Sequence, residues 1–267
     1  MQFDIDHSTP YYRQIFGNLT EDQMIDNIDA MKILSTYHKK QHYLLNKGAK
    51  YEYNPPSWSD TDNIFPLDAP IHPMTHIEWG AFIRQFDKDN TKGDVLEFGV
   101  ACAGTIRDVA FINPEKTIYG FDHFEGLEQT KQQTPDYAGW YKGAFRLEGS
   151  EYKQTYDQVV EDCGQFPNIT LVVKDIHELD DPATYGISKI SAVHIDVDIY
   201  EPAVSALNFV DKCEWDEIYM RFDDWHGHEP DYDFHERQAC KEWIEKNGYN
   251  INIMRNGLHG EAIVSKS

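Results

Sequence analysis

The stretch VHIDVDIY, residues 193–200, sets two aspartates inside an otherwise apolar, β-branched run. A strand repeats every second residue, so Asp196 and Asp198 share a face, and both fall where the strand gives way to loop. A carboxylate buried without a partner in a parallel strand costs several kcal/mol, so something must satisfy them. A second acidic pair, Asp223 and Asp224, ends the run EIYMRFDDW, which also reads as a strand. If the two strands are neighbours, three or four carboxylates converge at the carboxyl edge of a sheet, where ligands bind in open α/β architectures. Clustered like charges raise one another's pKa unless a cation sits between them. Oxygen ligands select a hard divalent ion, so Mg²⁺ is expected, with Mn²⁺ or Ca²⁺ as substitutes. The plainer reading has Asp223 and Asp224 capping the next segment while Asp196 pairs with Arg221 or Lys189.

A second constellation lies upstream in VLEFGVACAGT. Glu97 sits near a strand end, and Gly99 and Gly104 bracket a turn into a helix. Such glycines let the backbone approach a ligand closely, and the helix start offers free N–H donors. The spacing is not that of a dinucleotide fingerprint, which counts against a dehydrogenase. The following strand ends in Asp122, placed to accept hydrogen bonds from ribose hydroxyls; the plainer alternative is a helix cap. Together the two turns point to an adenosine-containing cofactor.

These residues need a scaffold that delivers them to one edge. From Asp94 onward short β-rich runs alternate with helical ones, the pattern of βαβ units and a mostly parallel sheet. The strands expected are 94–99, 117–122, 168–173, 190–196 and 217–222, and the helices 104–111, 151–163, 202–210 and 234–246, with Gly248 as a stop. The runs 249–255 and 260–266 flank NGLHG, so a C-terminal antiparallel hairpin is expected. Residues 1–73 read differently, as a helical or irregular N-terminal extension or lid. A helix is expected from Thr20 to about Lys39, followed by a proline-rich loop over residues 51–73. A second helix over residues 74–87 leads into the main domain, 74–267.

Composition narrows the partners. The 267 residues carry 24 Lys+Arg against 46 Asp+Glu, a formal net charge of −22, so neither nucleic acid nor an anionic membrane surface is an expected partner. No apolar run approaches a membrane span, and the start lacks the features of a secretion signal, so a cytoplasmic location is expected. Cys102, Cys163, Cys213 and Cys240 are scattered, which suggests reduced thiols rather than a disulfide framework or zinc site.

The series EFGVACAGT, YGFDHFEGL, HIDVDIYEP and FDDW, in that order, resembles the macrocin O-methyltransferase family over roughly residues 74–246. The family comprises metal-dependent enzymes that methylate sugar hydroxyls of natural products with S-adenosylmethionine. The resemblance implies a doubly wound, Rossmann-like class I methyltransferase sheet and, as acceptor, a sugar or polyol. It implies Asp196, Asp223 and Asp224 as metal ligands and Asp198 as the catalytic base. Glu97, Gly99, Thr105, Asp122 and Asp175 would form part of the donor site. A homodimer is expected by analogy alone. The chain departs from the family in two places, with Lys212–Trp215 where a Gly-Gly turn is usual and His123 where a small hydroxyl residue is common.

His226 or His228, just beyond the acidic pair, is an alternative base. Trp58, Trp140, Tyr141 and Trp225 could stack on an acceptor or simply anchor loops. Arg107 and Lys174 read as salt-bridge residues. Other functions compatible with this pattern are a catechol-type O-methyltransferase, a hydroxylase-like relative, and a protein that binds S-adenosylmethionine as an effector.

Overall fold

The computed structural model describes residues 79–80, 82–83, 86, 92–132, 140–147, 154–225, 234–256 and 259–267, all within the compact unit Trp58–Ser267. The expected N-terminal helix, the proline-rich loop with Trp58, and both His226 and His228 lie outside the described residues.

Seven strands form one sheet: β1 (Asp94–Phe98), β2 (Ile118–Asp122), β3 (Ile169–Val173), β4 (Ile190–Ile195), β5 (Glu217–Phe222), β6 (Asn250–Asn256) and β7 (Gly260–Ser265). Their order is β3-β2-β1-β4-β5-β7-β6. The first five run parallel, and β7 is antiparallel to both β5 and β6, as the hairpin pattern predicts. The helices are α1 (Gly104–Ile112), α2 (Tyr156–Gly164), α3 (Tyr200–Lys212) and α4 (His235–Asn247).

The period of two sorts the central strands onto two cores. Leu96, Phe98, Val193, Ile195, Met220 and Phe222 pack with α3 and α4, while Val95, Ile118, Ala192 and Tyr219 pack with α1 and α2. Trp79, Ile83 and Phe86, helical residues at spacings of four and three, bury themselves on the second face. With both faces covered, β4 is buried at every residue.

Two helix starts differ from expectation. Helix α2 begins at Tyr156 rather than 151, because Thr155 and Gln158 close a reciprocal capping box that fixes its first turn. Helix α3 begins at Tyr200, two residues before Pro202, which fits the first turn, where no N–H partner is needed. The segment that replaces a Gly-Gly turn is held by Trp215: its indole N–H donates to Val210 O at 3.0 Å, and Lys266 lies 4.2 Å over its ring. Arg107 pairs with Asp162 at 2.9 Å and Lys174 with Asp180 at 2.7 Å, as expected. All four cysteines are free, three of them buried.

Asn168 joins three segments ahead of β3. Its amide nitrogen lies within 3.0–3.1 Å of the carbonyls of Ala110, Asn113 and Lys116. Asn168→Ala removes this donor from all three carbonyls and is expected to cost about 2 kcal/mol, seen as a melting temperature about 4–8 °C lower. A melting curve superimposable on that of the parent would contradict this.

Candidate active site

The first turn is built around Asp122. Its Oδ2 accepts the backbone N–H groups of Val100 and Ala101, each at 2.8 Å, and its Oδ1 accepts that of Phe124 at 2.6 Å. Burial opposes ionisation of this carboxyl, but hydrogen bonds from His123, Ala101, Phe124 and Val100 outweigh it and hold the group below its ordinary value. Ala101 and Ala103 take left-handed φ of 42° and 59°, a strained path that these bonds stabilise. Three backbone N–H groups, two from the turn after β1 and one from the residues after β2, together with the His123 imidazole thus engage the Asp122 carboxylate. Gly99 (φ 86°) ends β1 so close to β4 that a Cβ there would lie 1.7 Å from Asp196 O.

A cavity of about 400 Å³ opens at the carboxyl ends of the parallel strands. Its lining includes Gly99, Asp122, Asp175, Asp196, Asp198, Asp223 and Asp224, so the structure brings together most of the residues singled out from sequence. Glu97 and Thr105 are buried and are not among the lining residues. Asp175 caps a short turn by accepting His177 N–H at 2.9 Å, and His177 lies 2.7 Å from both Ser205 Oγ and Glu128 Oε1.

The strand ends aim the acids. Asp196 and Asp223 still join the sheet ladder through their N–H groups, to Phe98 O and Ile195 O, each at 2.9 Å. Behind them Glu97, His194, Arg221 and Glu261 stand in register on neighbouring strands, a charged row across the buried face beneath Trp79. The Trp79 and His194 rings lie 5.0 Å apart. Arg221 therefore pairs with Asp223, at 2.9 Å, rather than with Asp196, and Lys189 lies 3.9 Å from Asp216. His259 Nδ1 is 3.1 Å and His194 Nε2 3.8 Å from the same Asp223 oxygen.

This arrangement splits the acids. Burial works against ionisation of Asp223, but the His259 charge, hydrogen bonds from His194 and His259, and Arg221 hold its carboxyl well below the usual range. Burial and the neighbouring acids push Asp196 and Asp224 well above it. Asp198 rises to about 7, first through burial and then through the Asp223 charge, while hydrogen bonds with Asp224 and Trp140 pull the other way. Ligand atoms of His194, Asp196 and Asp223 all lie within 4.8 Å of one another, a geometry that could hold a divalent ion.

Sequence reasoning passed over Glu236. It is fully buried, and its carboxylate accepts the N–H groups of Val197, Asp198 and Asp224. The signal was present: Glu236 opens a stripe continued by Ala239, Cys240 and Trp243, so an acid stands on the buried face of α4. Arg221, His194 and His259 were passed over as partners of Asp223. Among the aromatics, Trp140 lines the cavity and Trp225 is buried.

No protein-family model and no curated protein matches this chain. Among solved structures it is similar to CalS11, a calicheamicin methyltransferase, with 20% identity and a TM-score of 0.55 over 70% of this chain and 77% of that one. It is similar also to the O-methyltransferase NovP, with 16% identity and a TM-score of 0.53 over 72% of this chain and 80% of that one. Likeness at this identity establishes the fold alone: a Rossmann-like α/β sheet, mostly parallel, with antiparallel strands at its C-terminal edge.

The split acids give stability a pH signature. Asp196, Asp198, Asp224 and Glu236 all have folded pKa values above the unfolded ones, about 7 for Asp198 and about 8 for Glu236. The stability they contribute is present below the unfolded values and is lost as pH rises through the folded ones. Asp122 and Asp223, with lowered values, act only below the ordinary aspartate value of 3.8, and neutral His235 acts oppositely but only below 6.5. In EDTA the melting temperature is therefore expected to fall between about pH 6.5 and 8.5, and Asp224→Asn to flatten that slope. A rise over this window would contradict the arrangement.

Proposed function

We propose that this chain transfers a methyl group from S-adenosylmethionine to a hydroxyl of a sugar or glycosylated small molecule, assisted by a divalent cation. The observation that carries this reading is one cavity lined by both the Asp122-anchored turn and the carboxylate cluster. Its volume, about 400 Å³, lies in the range of small-molecule sites. Carboxyls pushed far above their ordinary values by burial and by one another call for a cation, and their oxygen donors fit Mg²⁺. The methyltransferase fold, and similarity to two proteins described as methyltransferases, add support.

When bound, S-adenosylmethionine supplies an electrophilic methyl group, and the divalent ion supplies Lewis-acid activation and a template for a hydroxyl or vicinal diol. Gly99, Asp122 and Asp175 would hold the donor. Asp196, Asp223 and Asp224 would hold the ion, with His194 as an additional ligand. Asp198 accepts the proton of the acceptor hydroxyl. Asp198 lines the cavity beside the other acids, the placement a general base needs. Trp140, hydrogen-bonded to Asp198, orients the carboxylate. His226 is retained as a second candidate base.

The acceptor is taken to be neutral, since the acidic lining and the net charge of −22 repel phosphorylated substrates. Residues 1–73 are proposed to contribute to acceptor selection, and the protein to act in the cytoplasm as a homodimer.

The test is calorimetric titration of EDTA-treated protein with S-adenosylhomocysteine and then Mg²⁺, followed by acceptor screening with S-adenosylhomocysteine release as the signal. Asp198→Asn is expected to lower turnover about 10²–10⁴-fold while retaining S-adenosylhomocysteine affinity. Absence of nucleoside binding by the parent would remove the reading, and full turnover by the variant would remove Asp198 as base.

A further inference from the structure

We propose that Glu236 is the positioning residue of the carboxylate cluster, one carboxylate that fastens the two catalytic strand-end loops to each other through three backbone N–H groups. The inference rests on the methyl-transfer reading for its consequence, but the clamp stands on geometry alone.

The ladder between β1, β4 and β5 ends where the acids begin. Its last rungs toward the cavity are Asp196 N–H to Phe98 O and Asp223 N–H to Ile195 O. Beyond them, among the described residues, the N–H groups of Val197, Asp198 and Asp224 have no backbone acceptor in neighbouring strands. Glu236 continues the sheet by other means. Its Oε1 accepts from Val197 at 2.8 Å and Asp198 at 3.1 Å, and its Oε2 accepts from Asp224 at 3.1 Å.

The β4-side loop needs such a hold. Asp198 takes a left-handed φ of 61°, a conformation that costs a non-glycine residue on the order of 1–3 kcal/mol and persists only when its surroundings fix it. The anchor itself is rigid. Tyr200 N–H donates to the Nδ1 of neighbouring His235 at 3.2 Å, and Cys240 and Trp243 of the same helix are buried.

Serving two loops explains the choice of a carboxylate. Glutamine has one acceptor oxygen; it could keep one loop and would turn an N–H donor toward the N–H of the other. Glutamate serves both, at the cost of burying another acid beside four aspartates. A costly group retained for geometry marks a site built for function rather than stability.

Glu236→Gln preserves volume and is the informative variant, with Asn168→Ala as a control for simple destabilisation. Amide hydrogen exchange at Val197, Asp198 and Asp224, Mg²⁺ affinity, S-adenosylhomocysteine affinity and turnover are measured on both. In Glu236→Gln, exchange is expected to accelerate on one loop, and Mg²⁺ affinity and turnover to fall about 10–100-fold, with S-adenosylhomocysteine affinity unchanged. Asn168→Ala is expected to melt earlier with none of these changes.

Parental exchange at all three amides in Glu236→Gln would overturn the clamp. Faster exchange with unchanged Mg²⁺ affinity and turnover would overturn its positioning role. If the parent itself neither binds Mg²⁺ nor releases S-adenosylhomocysteine, the functional reading fails, and exchange alone still upholds or overturns the clamp.

Discussion

The site depends on one electrostatic conflict: Asp196, Asp198, Asp223, Asp224 and Glu236 converge at one sheet edge, where they cannot all stay ionised without a counter-charge. Most of the surrounding architecture manages that conflict. Arg221, fully buried, faces the base of the cluster from β5, two residues before Asp223, so strand periodicity places both on the same face. His259, just ahead of β7, presents its Nδ1 as donor to both the Asp223 backbone carbonyl and its carboxylate, at 2.7 and 3.1 Å. One aspartate is thereby kept charged and fixed, and the burden of protonation passes to the others.

The charged row behind the cluster explains how a buried arginine is tolerated. Glu97, His194, Arg221 and Glu261 occupy successive strands at one level, so each cation has an acid or imidazole beside it. The row is incompletely satisfied: among the described residues, Glu97 Oε2 and His194 Nδ1, 3.6 Å apart, and Arg221 Nε and Glu261 Oε1 are buried without a hydrogen bond. An apolar row would cost less. What it would lack is a fixed positive charge under Asp223, and hence a fixed carboxylate at the cavity floor. Glu97 acts from this row rather than from the cavity wall.

Much of this was legible in the sequence because it rests on local pattern. The β-branched runs and their period of two locate β1 to β5 to within a residue, and the acidic pairs stand out against them. What was not legible depends on contacts between distant segments. The start of α2 moved because Thr155 and Gln158 cap each other, a short-range signal overlooked in favour of helical periodicity. The sequence leaves Asp122 open between a ribose ligand and a cap; that it also accepts two N–H groups of the turn after β1 is visible only once β1 is paired with β2. Glu236 was hidden because a glutamate in a first helical turn ordinarily reads as a dipole partner in water. The stripe of Ala239, Cys240 and Trp243 beneath it was the contrary signal.

The two sides of the cavity follow from the same logic carried one step outward. At the Asp122 turn, backbone N–H groups outnumber acids, so the carboxylate there is stabilised below its ordinary value and serves as scaffold. At the β4 and β5 ends burial and the neighbouring acids push Asp196 and Asp224 up while Asp223 stays low, so the raised pair becomes responsive to whatever charge enters. Glu201 joins the two regimes: from α3 it accepts Thr130 Oγ at 2.9 Å and Lys131 N–H at 2.8 Å, fastening the loop after β2 to the helix that follows Asp198. A rigid half and a charge-hungry half are thus held in one frame, and a cationic group entering the cavity gains most at the half where protons are otherwise required.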